Sequence, residues 1–135
     1  MAKKITEIEG IGPASQEKLA GAGVTTVEGL LEAGASKSGR KKIAADSGID
    51  ESKVLTWVNM ADLFRIKGVG SQFAELLKAS GVDTVKELRN RNAENLHAKL
   101  VEVQAEKKIT RTVPGLKQVE GYVDQAKGLN PLVSH

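Results

Sequence analysis

At 135 residues, 40% hydrophobic and 27% charged, the chain has the size and balance of one ordinary globular domain. The absence of cysteine excludes disulfides, thiolate metal sites and a cysteine nucleophile; two histidines are too few for a histidine-built metal centre, and four aromatic rings (Trp57, Phe64, Phe73, Tyr122) make no stacking platform for single-stranded nucleic acid. The net charge of +3 is uneven: residues 1–63 hold 8 Lys and Arg against 9 Asp and Glu, a net of −1, whereas residues 64–135 hold 12 against 8, a net of +4.

The chain starts with Met1-Ala2-Lys3-Lys4-Ile5 and runs into acidic residues. No stretch approaches the ~20 apolar residues that span a bilayer, so a soluble, cytoplasmic chain with no membrane partner is expected. The first turn signal is Gly10-Ile11-Gly12-Pro13, followed by a short helix that includes Leu19 and stops near Gly23. Thr25 with Glu28 signals the next helix start, through a side-chain oxygen that satisfies exposed backbone N–H groups. Glu32 to Lys42, rich in Gly, Ala and Ser before Arg40-Lys41-Lys42, reads as a mobile loop running into a helix that closes at a left-handed Gly48. Asp50 or Ser52 caps a helix holding Val54, Val58 and Ala61; with neither Gly nor Pro from Ser52 to Lys67, that helix is predicted to continue over about 52–67.

Gly68-Val69-Gly70-Ser71 is a second turn of the same kind, followed by a helix with Leu77 that stops at Gly81. Thr84 with Glu87 starts another helix, Leu96, Leu100 and Val103 recur at helical spacing, and Gly128 is placed to close the last helix in a left-handed conformation. No long stretch alternates with a period of two. The expected class is all-α, with about ten short helices.

Sliding the sequence against itself by 58 places aligns residues 8–30 with 66–88, and ten of these 23 positions are identical, among them Gly10/Gly68, Gly12/Gly70, Gly23/Gly81 and Thr26/Thr84. Further on, an offset of 65 pairs Val54, Trp57, Val58 and Ala61 with Val119, Tyr122, Val123 and Ala126, so the second copy has seven extra residues in its middle. The chain therefore reads as two copies of one unit, residues 1–63 and 64–135, joined through the helix over about 52–67.

In each turn the glycines permit backbone angles closed to other residues, and Ile11 or Val69 is predicted to plug between the adjoining helices. The helix restarts at Pro13 or Ser71, where N–H groups of the first turn carry partial positive charge and suit an anion, phosphate above all. Arg65 and Lys67 flank the second turn, while Glu7 and Glu9 flank the first, with only Lys3 and Lys4 upstream to offset them. Carboxylates repel a phosphate, which favours the second turn as the principal contact.

These residues resemble the helix-hairpin-helix family, whose pattern is an apolar residue, any residue, Gly, apolar, Gly, and a small residue four places after the second Gly. Gly68-Val69-Gly70-Ser71-Gln72-Phe73-Ala74 matches in full; Gly10-Ile11-Gly12-Pro13-Ala14-Ser15-Gln16 departs at Gln16, where Ala is expected. Ala61 to Gly68 and Gly81-Val82-Asp83-Thr84-Val85 also look like a bacterial tandem helix-hairpin-helix family of unassigned function, over nearly the whole chain. The resemblance implies two pseudo-repeated helix-hairpin-helix lobes sharing a helix. It also implies sequence-independent gripping of duplex DNA through backbone phosphates. Carried over, the amides would be those of Gly12 and Ala14 in the first hairpin, beside Gly10, and of Gly70 and Gln72 in the second, with Gly68, Ser71, Arg65 and Lys67 around them.

The alternative is a protein-interaction or scaffold module whose hairpins are structural, suggested by Glu7 and Glu9 and by the modest net charge. Arg40-Lys41-Lys42 and Lys107-Lys108 with Arg111 read as phosphate contacts or as solvated surface, and Phe73 as a partner anchor or a ring lying along a sugar. Trp57 and Tyr122 read as amphipathic aromatics at the edges of the two cores. Some enzymes of the superfamily use a Lys nucleophile with a downstream Asp. Here Val113-Pro114-Gly115-Leu116 lacks the acid of a Gly-Pro-Asp segment, and Asp46, Asp50 and Glu51 look like helix caps. No catalytic activity, metal or cofactor is expected.

Overall fold

The computed structural model describes residues 3–134 and is all-helical: among the described residues there are eight α-helices, one 3-10 turn and no strand, only an isolated bridge between Lys4 and Thr26. The chain divides into two compact units, Met1–Asp62 with Leu132–His135, and Leu63–Pro131.

In the first unit the 3-10 turn Ile5–Glu7 leads through the first glycine turn into α1 (Pro13–Gly21), followed by α2 (Val27–Gly34), α3 (Lys37–Ser47) and α4 (Glu51–Leu63), whose last residue already belongs to the second unit. Both α1 and α2 pack on α3 and on the 3-10 turn, around Ile5, Ile8, Leu19, Leu30, Val54 and Val58. In the second unit the second glycine turn leads into α5 (Ser71–Ala79), then α6 (Val85–Arg89), α7 (Ala93–Lys107) and α8 (Leu116–Lys127). Here α6 and α7 pack on α8, and α5 packs on α7, burying Ile66, Leu76, Leu77, Leu88 and Leu100. Of the longer helices, α7 has 15 residues against 11 in α3, and the connection 108–115 after α7 is longer than 48–50 after α3.

Local geometry repeats from one unit to the other. Gly10 and Gly68 both have φ of 95°, Gly23 and Gly81 have 83° and 93°, and the N-caps Gly12 and Gly70 are both extended. After α1 the Val24 N–H reaches back to the Leu19 carbonyl, and after α5 Val82 does the same to Leu77, each at 2.9 Å; this is the closure that a left-handed glycine permits.

Four local expectations are corrected. The cap of α2 is Thr26, whose hydroxyl accepts from the Gly29 N–H at 2.9 Å, and not Thr25; Glu28 instead accepts from the Lys3 N–H. Its equivalent Thr84 caps α6 as expected, accepting from the Glu87 N–H at 3.3 Å. Gly128 ends α8 at φ −87°, outside the left-handed region; the left-handed closure falls instead at Lys108, after α7 (φ 50°). The stretch from Glu32 to Lys42 is helical apart from Ala35 and Ser36, because Ser36 caps α3 by accepting from the Gly39 N–H at 3.1 Å. Finally, α4 stops at Leu63 instead of reaching Lys67. Phe64 to Gly68 turn through short bonds, Ile66 N–H to Leu63 O and Val69 N–H to Ile66 O, each 3.1 Å.

The C-terminal residues complete the first unit. Val133 is buried, and the Ser134 N–H donates to the Ala35 carbonyl at 2.9 Å. Arg40, only 3% exposed, donates from Nη1 to the carbonyls of Gly34 (2.9 Å) and Ala35 (3.0 Å), and from Nη2 to that of Ser134 (2.6 Å). A guanidinium at the C-terminal end of α2 meets the carbonyls that the helix leaves without partners.

Candidate functional site

Of the two glycine turns, the second gathers the features an anion needs. Gly68 at φ +95° turns the chain, Val69 is buried at 2% exposure, and Gly70 is the extended N-cap of α5. The first amide tied into α5 is that of Ala74, donating to the Gly70 carbonyl at 2.9 Å. The amides of the first turn of an α-helix precede the start of its ladder and face outward. Gly68, Gly70, Ser71, Gln72 and Phe73 line an open depression of about 320 Å³ at this helix start. Gly70 and Gln72 are exposed and Phe73 is half-buried.

The basic residues lie on the same turn because α4 has already ended. Lys67 is exposed, and half-buried Arg65 donates from Nη2 to the Asn130 carbonyl at 2.9 Å, which places its guanidinium on the surface of this unit. Lys67, Gly68, Gly70 and Gln72 form one exposed run, with Ser71 half-buried among them.

The turn is held from behind by α8. Gln125 accepts from the Lys67 N–H at 2.8 Å and donates to the Lys67 carbonyl at 3.2 Å, and the Tyr122 hydroxyl donates to the Gly68 carbonyl at 3.1 Å. Burial raises the Tyr122 hydroxyl above its ordinary value of 10.0, so it stays protonated and donating at neutral pH. The ring also fills the space beside Gly68, where an added Cβ would lie 3.1 Å from Cε1 and 3.3 Å from the hydroxyl. Tyr122 is thus a backing residue of the turn as well as a core aromatic. The signal for this was its pairing with Trp57, whose Nε1 lies 3.4 Å from the position of a Cβ on Gly10.

The first turn has the same backbone and a different surface. Ile11 is buried at 5% exposure as expected, and α1 opens with Pro13 at its first position, so one amide is missing there. Gly10, Gly12 and Ala14 are exposed, and so are Glu7 and Glu9, which present carboxylates where the second turn presents Arg65 and Lys67. Gln16, in the place of Ala74, is exposed, whereas Ala74 is fully buried.

The other basic clusters separate. Arg40 is buried with its donors turned to carbonyls of its own unit and does not belong to a solvent-facing cluster, whereas Lys41, Lys42, Lys107, Lys108 and Arg111 are exposed. Among the described residues no group of three or more His, Asp or Glu is placed to hold a metal ion, and no helix is long and apolar enough to cross a membrane.

A family model described as "Domain of unknown function (DUF4332)" matches residues 9–129, which include both glycine turns and all eight helices. The chain belongs to the DUF4332 family. No curated protein and no solved structure matches it.

Proposed function

We propose that the chain is a tandem helix-hairpin-helix module, without catalytic activity, that binds duplex DNA independently of sequence by gripping backbone phosphates. The observation that carries this reading is the succession, in one short stretch of chain, of half-buried Arg65, exposed Lys67, the amides that open α5 and a depression of about 320 Å³ lined by Gly68, Gly70, Ser71, Gln72 and Phe73. Amide donors and a lysine suit a phosphate oxygen, so affinity comes from the nucleic-acid backbone. The first hairpin, with Glu7 and Glu9 exposed, serves as the weaker contact. Those same carboxylates favour the second reading, a module that docks a protein and uses its hairpins for packing alone.

Charge reversal at Lys67 separates the two readings. Lys67→Glu is expected to weaken binding to every duplex alike, by tenfold or more, and to reduce the slope of log K against log salt by about 1. Titration of labelled duplexes of several sequences measures both quantities. Unchanged affinity would remove Lys67, and the second hairpin with it, from the contact.

A further inference from the structure

We infer that Gln125, on a helix outside the turn, is a positioning residue of the second hairpin: it fixes the backbone of Lys67 so that the turn is set before phosphate arrives. The inference rests on the reading of that turn as a phosphate grip. Its side-chain amide engages both polar groups of one residue, accepting from the Lys67 N–H at 2.8 Å and donating to the Lys67 carbonyl at 3.2 Å. The next carbonyl along, that of Gly68, is taken by the Tyr122 hydroxyl at 3.1 Å. Tyr122 and Gln125 stand three apart on α8 and so project from one face of it. Together they fasten three backbone groups of two successive residues, immediately before Val69-Gly70-Ser71.

The first unit lacks this arrangement. The offset of 65 that pairs Trp57 with Tyr122 pairs Met60 with Gln125, and a thioether has no N–H to give to a backbone carbonyl. The amide clasp therefore accompanies the turn with Lys67 and Arg65, and is missing from the equivalent place behind the turn with Glu7 and Glu9. A turn that must order itself on binding loses affinity by that cost, whereas a pre-set one does not.

The test replaces Gln125 with the residue found at the equivalent place, Gln125→Met, and reads three quantities on the full chain: affinity for a duplex, the salt slope, and exchange of the Lys67 amide hydrogen. The expected result is faster exchange at Lys67 and about tenfold weaker binding, with the salt slope unchanged because no phosphate-facing charge is lost. Should Gln125→Met fail to fold, Tyr122→Phe keeps the ring, removes only the bond to Gly68, and is expected to weaken binding about threefold at constant slope. Wild-type affinity with fast Lys67 exchange would overturn the inference alone, since the clasp would be lost without consequence. A reduced slope would overturn it too, because a cation–phosphate contact would then be lost outright and not merely left unordered. Absence of duplex binding by the unaltered chain would instead overturn the DNA reading, and the inference with it.

Discussion

Gly39→Ala is expected to destabilise the first unit by about 3 kcal/mol, the upper part of the range for an overpacked interior. A Cβ at this position would lie 2.0 Å from the Ala33 carbonyl oxygen and 3.2 Å from Ser36 Oγ, so a backbone atom of α2, which cannot swing aside as a side chain does, stands in its way. Relief requires α2 and α3 to separate at the connection formed by Ala35 and Ser36, where the Ser36 cap on the Gly39 N–H would also be strained. Gly21 provides the contrast, because it closes α1 with nothing within 4 Å of an added Cβ. Gly21→Ala should leave stability unchanged or raise it by up to about 1 kcal/mol. The chain has a single tryptophan, Trp57, buried in the first unit, so its fluorescence during urea unfolding reports both variants. Equal midpoints for the two would contradict the close approach of α2 and α3.

Arg40→Met is the other change with a large expected effect, a loss of about 3 kcal/mol. The methionine keeps much of the apolar stem but leaves the carbonyls of Gly34, Ala35 and Ser134 without their charged donor in a place only 3% exposed. Because Ser134 is one of the three, the segment holding Val133 should loosen as the unit weakens, and proteolytic trimming of the C-terminal residues should quicken. Arg40→Lys is expected to recover little of the loss, since a single ammonium does not span three acceptors that a planar fork reaches. Full recovery by Lys would show that charge at the end of α2, and not the fork geometry, is what matters.

The helical class was legible because the apolar spacing and the glycines act locally. The matching glycines were legible because a positive φ at Gly10, Gly23, Gly68 and Gly81 leaves few other residues able to stand there. The capping error at Thr25 shows where a local rule loses to a wider one: the Thr25–Glu28 spacing fits a capping box, yet the alignment already paired Thr26 with Thr84, and both are the caps. Composition misled at Glu32 to Lys42, where small residues that signal a loop serve two closely packed helices; Gly34 has Val58 so near that a Cβ would lie 2.5 Å from it. Arg40 looked like part of a surface cluster because nothing in its neighbours tells that three carbonyls, one of them 94 residues away, converge on it. Of the candidate site, the glycines and the basic flank were readable, while the Gln125 clasp was not. Its one trace was the Met60–Gln125 pairing, and an apolar-to-amide change has no meaning until the turn in front of it is known.

The most direct test of the central claim is fluorescence anisotropy of a labelled mixed-sequence duplex titrated with the unaltered chain at ~50 and ~200 mM salt, the range over which phosphate contacts declare themselves. Binding is expected at the lower salt and falls steeply at the higher, alike for duplexes of different sequence. No binding at ~50 mM salt, or binding indifferent to salt, would contradict that claim.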